Sequence, residues 1–197
     1  MHVNLFGVDT RFWAPAAAAT GGVLAIGNDG HRDWATLVRA ATAIDGEVRV
    51  LTRQAPPPSL PSNVRWEPAD WHRRLLSDIE VREAFHAAAA VVVPVKDVPQ
   101  PSGQSVTLQA SACGRPVVLT RTQGLWDPDG LRDGANVMLV PPADPDALAH
   151  AVGRLLSDRT LAMRLGASAR ASVEATASVE GYAARLLELC ELALERP

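Results

Sequence analysis

Residues 87–120 read AAAAVVVPVKDVPQPSGQSVTLQASACGRPVVLT, and this stretch decides the fold of the 197-residue chain. An apolar run through Ala90 to Val95 has the composition of a buried strand, closed at Pro94 and by the loop around Pro99 and Pro101. A helix follows from about Ser102, ends in CGRP, and hands over to a second apolar strand, PVVLT. A strand, a helix and a strand in that order make a crossover unit with parallel strands. The helix start behind a proline- and glycine-rich loop offers unpaired backbone N–H groups, and such groups attract anions. A phosphate at Ser102, Gly103, Gln104 and Ser105 would gain several charge-assisted hydrogen bonds of about 1.5–3 kcal/mol each. Without a ligand the same junction is an ordinary helix start capped by Ser102.

The pattern repeats on both sides. GGVLAIGN (21–28) is an apolar strand bracketed by glycines. RDWATLVRAATAI follows, with Trp34, Leu37, Val38, Ala41 and Ile44 at helical spacing. EVRVLT and NVRWEP are two further strands, separated by the proline-rich APPPSLPS. The next helix starts at Ser77–Asp78 and carries Ile79, Val81, Phe85 and His86. Beyond Thr120 come a glycine-bearing loop, the strand NVMLV, and a helix with Asp144 as N-cap and Pro145 at its first position. Two more helical stretches, 160–176 and 179–194, complete the chain. This alternation predicts an α/β fold: one doubly wound, parallel, Rossmann-like domain. Ligands then bind beyond the carboxyl ends of the strands. Three loops meet at that rim: GNDGHRD (27–33), KDVPQPSGQS (96–105) and RTQGLWD (121–127).

Composition narrows the partners. A net charge of −3 and a pI near 5.9 give no basic face for nucleic acid. No apolar run approaches the ~20 residues that span a bilayer, and the N-terminus lacks the order of a signal peptide. Cys113 and Cys190 match no metal or redox spacing and read as reduced thiols of a cytoplasmic protein. His2, His72, His86 and His150 show no ligand spacing, and Asp127 and Asp129 flank Pro128 in a turn. No metal and no cofactor are expected.

Within the first loop Gly27 permits a tight turn, and Asn28, His31 and Arg32 offer polar groups at a helix start. Arg32 is permanently charged and its fork matches phosphate; the alternative is a solvated arginine on the first turn. Asp33 suits the positive end of the helix dipole. Gln109 lies an i,i+4 step beyond Ser105, on the same helix face.

These motifs together resemble the C-terminal, nucleotide-sugar-binding domain of the retaining GT-B glycosyltransferases of the family 4 type. LFGVDTRFWAP (5–15) is similar to the interdomain linker, LAIGNDGHRDWATLVRA to the phosphate motif, and SVTLQASACGRPVV to the signature helix. LRDGANVMLVPPADPDALAHAVGRLLSD resembles the tail that follows. The resemblance implies a linker over residues 1–18 and a donor domain over 19–197. It implies a nucleoside diphosphate sugar as donor substrate, retention of configuration, an acceptor of unknown identity, and a missing N-terminal GT-B domain without which the chain is inactive.

Carried over by position, Arg32 falls on a diphosphate-contacting lysine and would stabilise the leaving group. Asn28 replaces an arginine. Gly103, Gln104, Ser105 and Val106 match the stretch that reaches phosphate and sugar. Gln109 stands where a glutamate holds the ribose, and Pro101 where another grips the donor sugar, so both acids are absent. The end of NVRWEP would add base and ribose contacts. The last helix, with Val179, Tyr182, Leu186, Leu187 and Leu189, either packs on its own domain or offers an apolar face to the partner domain. The alternatives are a catalytically inactive binding domain, a sugar-nucleotide epimerase on the same architecture, and an unrelated receiver or dinucleotide-binding domain. The last lacks support because no G-x-G-x-x-G follows the first strand.

Overall fold

A computed structural model describes residues 4–16, 19, 21–67 and 76–194. Its centre is a six-stranded sheet in the order β3-β2-β1-β4-β5-β6 with every pairing parallel. The strands are β1 (Val23–Ile26), β2 (Val48–Leu51), β3 (Val64–Glu67), β4 (Ala90–Val93), β5 (Val117–Thr120) and β6 (Met138–Val140). The helices are α1 (Trp34–Ala41), α2 (Asp78–Ala87), α3 (Gln104–Ala112), α4 (Pro145–Ser157), α5 (Arg159–Thr176) and α6 (Val179–Leu194). The strand order reverses between β1 and β4, which opens a crevice where their carboxyl ends diverge.

Alternate residues of each strand feed two cores. Leu24, Ile26, Val91, Val93, Val117 and Leu119 face α2, α3 and the N-terminal segment. Val23, Ala25, Ala90, Val92 and Val118 face α1 and α4, with Leu37, Leu148, Val152 and Leu155 among the partners. Burial on both faces is why these strands read as unbroken apolar runs. Phe85 is fully buried and meets Trp13 at 5.9 Å between ring centroids.

Local signals set the helix ends. Ser77 and Glu80 form a reciprocal capping box at α2, and Asp144 accepts from the Ala147 N–H at 2.9 Å beside Pro145. Ile79 departs from expectation: it is 57% exposed, and the inward face of α2 is Val81, Ala84 and Phe85. Ile79 is on the helix, but its position in the first turn lies on the solvent side of that face. Ile44 is buried beyond the end of α1 rather than on it.

Residues 4–13 run along α5 and α6. Val8 donates to the Ala177 carbonyl and accepts from the Val179 N–H, both at 2.9 Å. Arg170 of α5 donates to the carbonyls of Trp13 and Ala112 at 2.7 Å and of Thr10 at 3.0 Å. Arg185 of α6 reaches Asn4 and Leu5. No residue of α6 is buried, and Leu186, Leu187, Leu192 and Leu194 are exposed. No described helix is long and apolar enough to cross a membrane. His2, His72 and the Pro68 end of NVRWEP lie outside the described residues.

Candidate functional site

The three rim loops are tied into one surface by their own polar groups. Val95 N–H donates to Thr120 Oγ1 at 3.1 Å, and Gln123 N–H to Asp97 Oδ1 at 2.9 Å. The β1–α1 loop joins the β4–α3 loop through Lys96 N–H to His31 O at 2.8 Å and Asp33 N–H to Pro94 O at 3.0 Å. Asp33 caps α1 by accepting from the Thr36 N–H at 3.1 Å.

Between the first two loops lies a cleft of about 290 Å³. His31, Gly103, Gln104 and Ser105 line it, together with Asp29 and Phe6. His31 Nε2 sits 3.1 Å from Gln100 Oε1 across the mouth. Helix α3 opens here from Gly103, at φ +80°, with no side-chain cap. A glycine is required there twice over: the backbone is left-handed, and a Cβ would stand 2.4 Å from Val93 Cγ1. The Ser102 cap is therefore not used. Its hydroxyl donates instead to Asp29 Oδ1 at 2.8 Å. The first N–H groups of α3 are left facing the cleft without a side-chain acceptor, and the helix dipole adds positive potential at the same point.

Arg32 occupies the space behind this junction. It is 4% exposed. Its Nη1 donates to Ser102 Oγ at 3.4 Å and its Nε lies 3.4 Å from Asp29 Oδ2. Burial pushes its pKa down, and the Asp29 carboxylate opposes that shift. The guanidinium fits only because Gly27 and Gly103 flank it, since Cβ atoms there would come within 2.0 Å and 2.9 Å of it. Nε makes no hydrogen bond among the described residues. Arg32 thus stands behind the wall of the cleft and is not one of its lining residues. The sequence could not show this, because the packing of the two glycines is made by loops about seventy residues apart.

The remaining candidates separate. Asn28 faces the end of β2, where its Oδ1 accepts from Arg53 N–H at 2.7 Å and Thr52 Oγ1 at 3.3 Å. Val106 is buried in the core under α3 and does not line the cleft. Gln109 is half-buried one turn beyond Ser105. At β3, Glu67 is held by Arg49 at 2.9 Å and Arg65 at 2.7 Å, so its carboxylate is engaged. Asp29 is the cleft residue that sequence reasoning missed. In NDG it carries the signal of a turn residue, and only its placement against Ser102 and Arg32 shows otherwise.

A family model described as "Glycosyl transferases group 1" matches residues 24–158. The chain belongs to the group 1 glycosyl transferases. Among curated members of the group, alpha-maltose-1-phosphate synthase from Mycobacterium tuberculosis is 32% identical over 202 aligned positions. That match takes in 86% of this chain and 51% of the synthase, so the chain spans about half the length of that relative. Among solved structures, the C-terminal domain of a group 1 family protein, LpcC, from Francisella tularensis aligns at a TM-score of 0.70 and 18% identity. The overlap is 88% of this chain and 100% of that one. HepE from Anabaena, in complex with UDP and glucose, aligns at 0.75 and 14% identity over 94% of this chain and 55% of its own. The group 1 fold, a Rossmann-like half of the GT-B architecture, is the one described above.

Proposed function

We propose that this chain is the donor-binding half of a retaining glycosyltransferase and holds a nucleoside diphosphate sugar in the cleft at Gly103. The observation that carries the reading is the uncapped, left-handed start of α3 opening directly onto that cleft. Support comes from HepE, a structural neighbour solved in complex with UDP and glucose. On this reading the N–H groups of Gln104, Ser105 and Val106 take the diphosphate. Charge that builds on the leaving group meets donors already in place, which is the cheapest form of stabilisation. Arg32 contributes its charge from behind the wall, holding Ser102 and Asp29 in position rather than touching phosphate. Gln109 turns an amide toward the ribose hydroxyls and both donates and accepts there. Pro101 puts an apolar ring beside the sugar position. Residues 1–18 are the linker to the other half of the enzyme.

The test is calorimetry of the chain with UDP, GDP, ADP and dTDP against their nucleosides. One diphosphate is expected to bind at least about tenfold tighter than its nucleoside, a difference of about 1.4 kcal/mol. Ser105→Pro removes a single N–H in the first helical turn, where proline is tolerated. It should abolish most of that increment and leave the nucleoside unaffected. Equal affinity for diphosphate and nucleoside across all four pairs would sink the proposal.

A further inference from the structure

The flank of α3 turned away from Gln109 borders a second, larger cavity. Gln104, Thr107, Leu108 and Ser111 recur at helical spacing along that flank and line a space of about 440 Å³ closed by α5 and the β5–β6 loop. The space is preformed. Asn136 fixes the loop by donating to Gly130 O at 2.8 Å and Ser172 Oγ at 3.0 Å while accepting from Arg132 N–H at 2.8 Å. Within this wall Thr107 is 1% exposed, yet its Oγ1 has no hydrogen-bond partner among the described residues. A buried hydroxyl without a partner is costly, and one that lines a cavity points to a ligand that completes it.

The rest of the lining says which ligand. Trp126 and the 45% exposed Phe6 supply aromatic faces. Asp127 and Asp129 outnumber Arg132, which disfavours an anion. Carboxylates accept from hydroxyls, serine and threonine both donate and accept, and the volume lies in the range of small-ligand sites. We propose that this cavity is a saccharide-binding site for one or two neutral sugar units. Phe6 and Gln104 line both this space and the cleft at Gly103, so a bound saccharide ends beside the α3 N-terminus. Its task of presenting an acceptor chain rests on the function proposed above; the binding itself does not.

The test is an NMR titration of the ¹⁵N-labelled chain with maltotetraose, cellotetraose, mannotetraose and galactotetraose, and separately with UDP, GDP, ADP and dTDP. At least one tetrasaccharide should shift the amides of Thr107 and Ser111 and the Trp126 indole, leaving Asn28 to Arg32 in place. Thr107→Val removes the hydroxyl but no bond to any described residue. It should keep or raise the melting temperature and weaken the saccharide about tenfold. Asp129→Ala, at an exposed turn position, should weaken it with the fold intact. Silence toward all four tetrasaccharides overturns the site, as does a Thr107→Val chain that melts earlier and binds sugar unchanged. A saccharide response without a response to any of the four diphosphates keeps this site and removes the nucleotide reading; the reverse removes this site alone.

Discussion

Burying a guanidinium costs several kcal/mol unless its partners are buried with it, and Arg32 has Asp29, Ser102 and two glycines arranged for it. Gly27→Ala is expected to destabilise the fold by about 1–3 kcal/mol, the usual penalty of overpacking, because its Cβ would fall 2.0 Å from Arg32 Nε. Urea unfolding checks this; an unchanged midpoint would mean that the guanidinium sits elsewhere. Cys113 makes a second case. Burial pushes its thiol up to about 12, so the folded state keeps a proton that the unfolded chain releases near pH 8.5. The resulting stabilisation is complete below that pH and is lost as pH rises toward 12. At pH 8 iodoacetamide should label the exposed Cys190 and spare Cys113, and mass spectrometry of the native chain reads the outcome. Residue types at the site were legible in the sequence: His31, Gly103, Gln104 and Ser105 do meet at one cleft. The direction in which Asn28 and Arg32 face was not, since it depends on Thr52 and Ser102 across the fold.

Among the elements, those with their own start signals were the ones readable in advance. Asp144 with Pro145, and Ser77 before Asp78, hold local information, and α4 and α2 begin where those residues place them. The docking of residues 4–13 was opaque, because its hydrogen bonds come from α5 and α6, more than 150 positions away. Arg170 is the principal tie. Hydrogen bonds to a charged group contribute about 1.5–3 kcal/mol each, and Arg170 makes three to backbone carbonyls. Arg170→Met should therefore cost about 2–4 kcal/mol, allowing for partial replacement by water. Hydrogen exchange should quicken at Val8 and Trp13 before it does at the strands. Unchanged exchange at Val8, whose N–H is bonded to Ala177, would place the tie elsewhere.

At the scale of the whole molecule, the alternation of strands and helices announced a parallel sheet, but it did not announce which strand stands beside which. That order follows from β1 pairing with β4 across a long connection, a choice made by packing rather than by local pattern. The donor-half proposal carries a consequence for activity. The synthase relative is about twice as long as the region matched here, and transfer needs both substrates held in reactive geometry, worth about 7–11 kcal/mol. The chain alone should bind a nucleoside diphosphate and transfer no sugar; robust transfer to any saccharide acceptor by chromatography would refute the donor-half reading. Finally, Val8 lies hydrogen-bonded beside Ala177 and Val179, so the first described segment is tied to the start of the last helix. The connectivity of the chain is then partly arbitrary. A circular permutant that joins the two ends by a flexible linker and opens between Pro56 and Pro57, in an exposed loop, should keep the same sheet. Its loss of about 1–2 kcal/mol would reflect only the changed loop entropies, measurable as a single, slightly earlier denaturant transition.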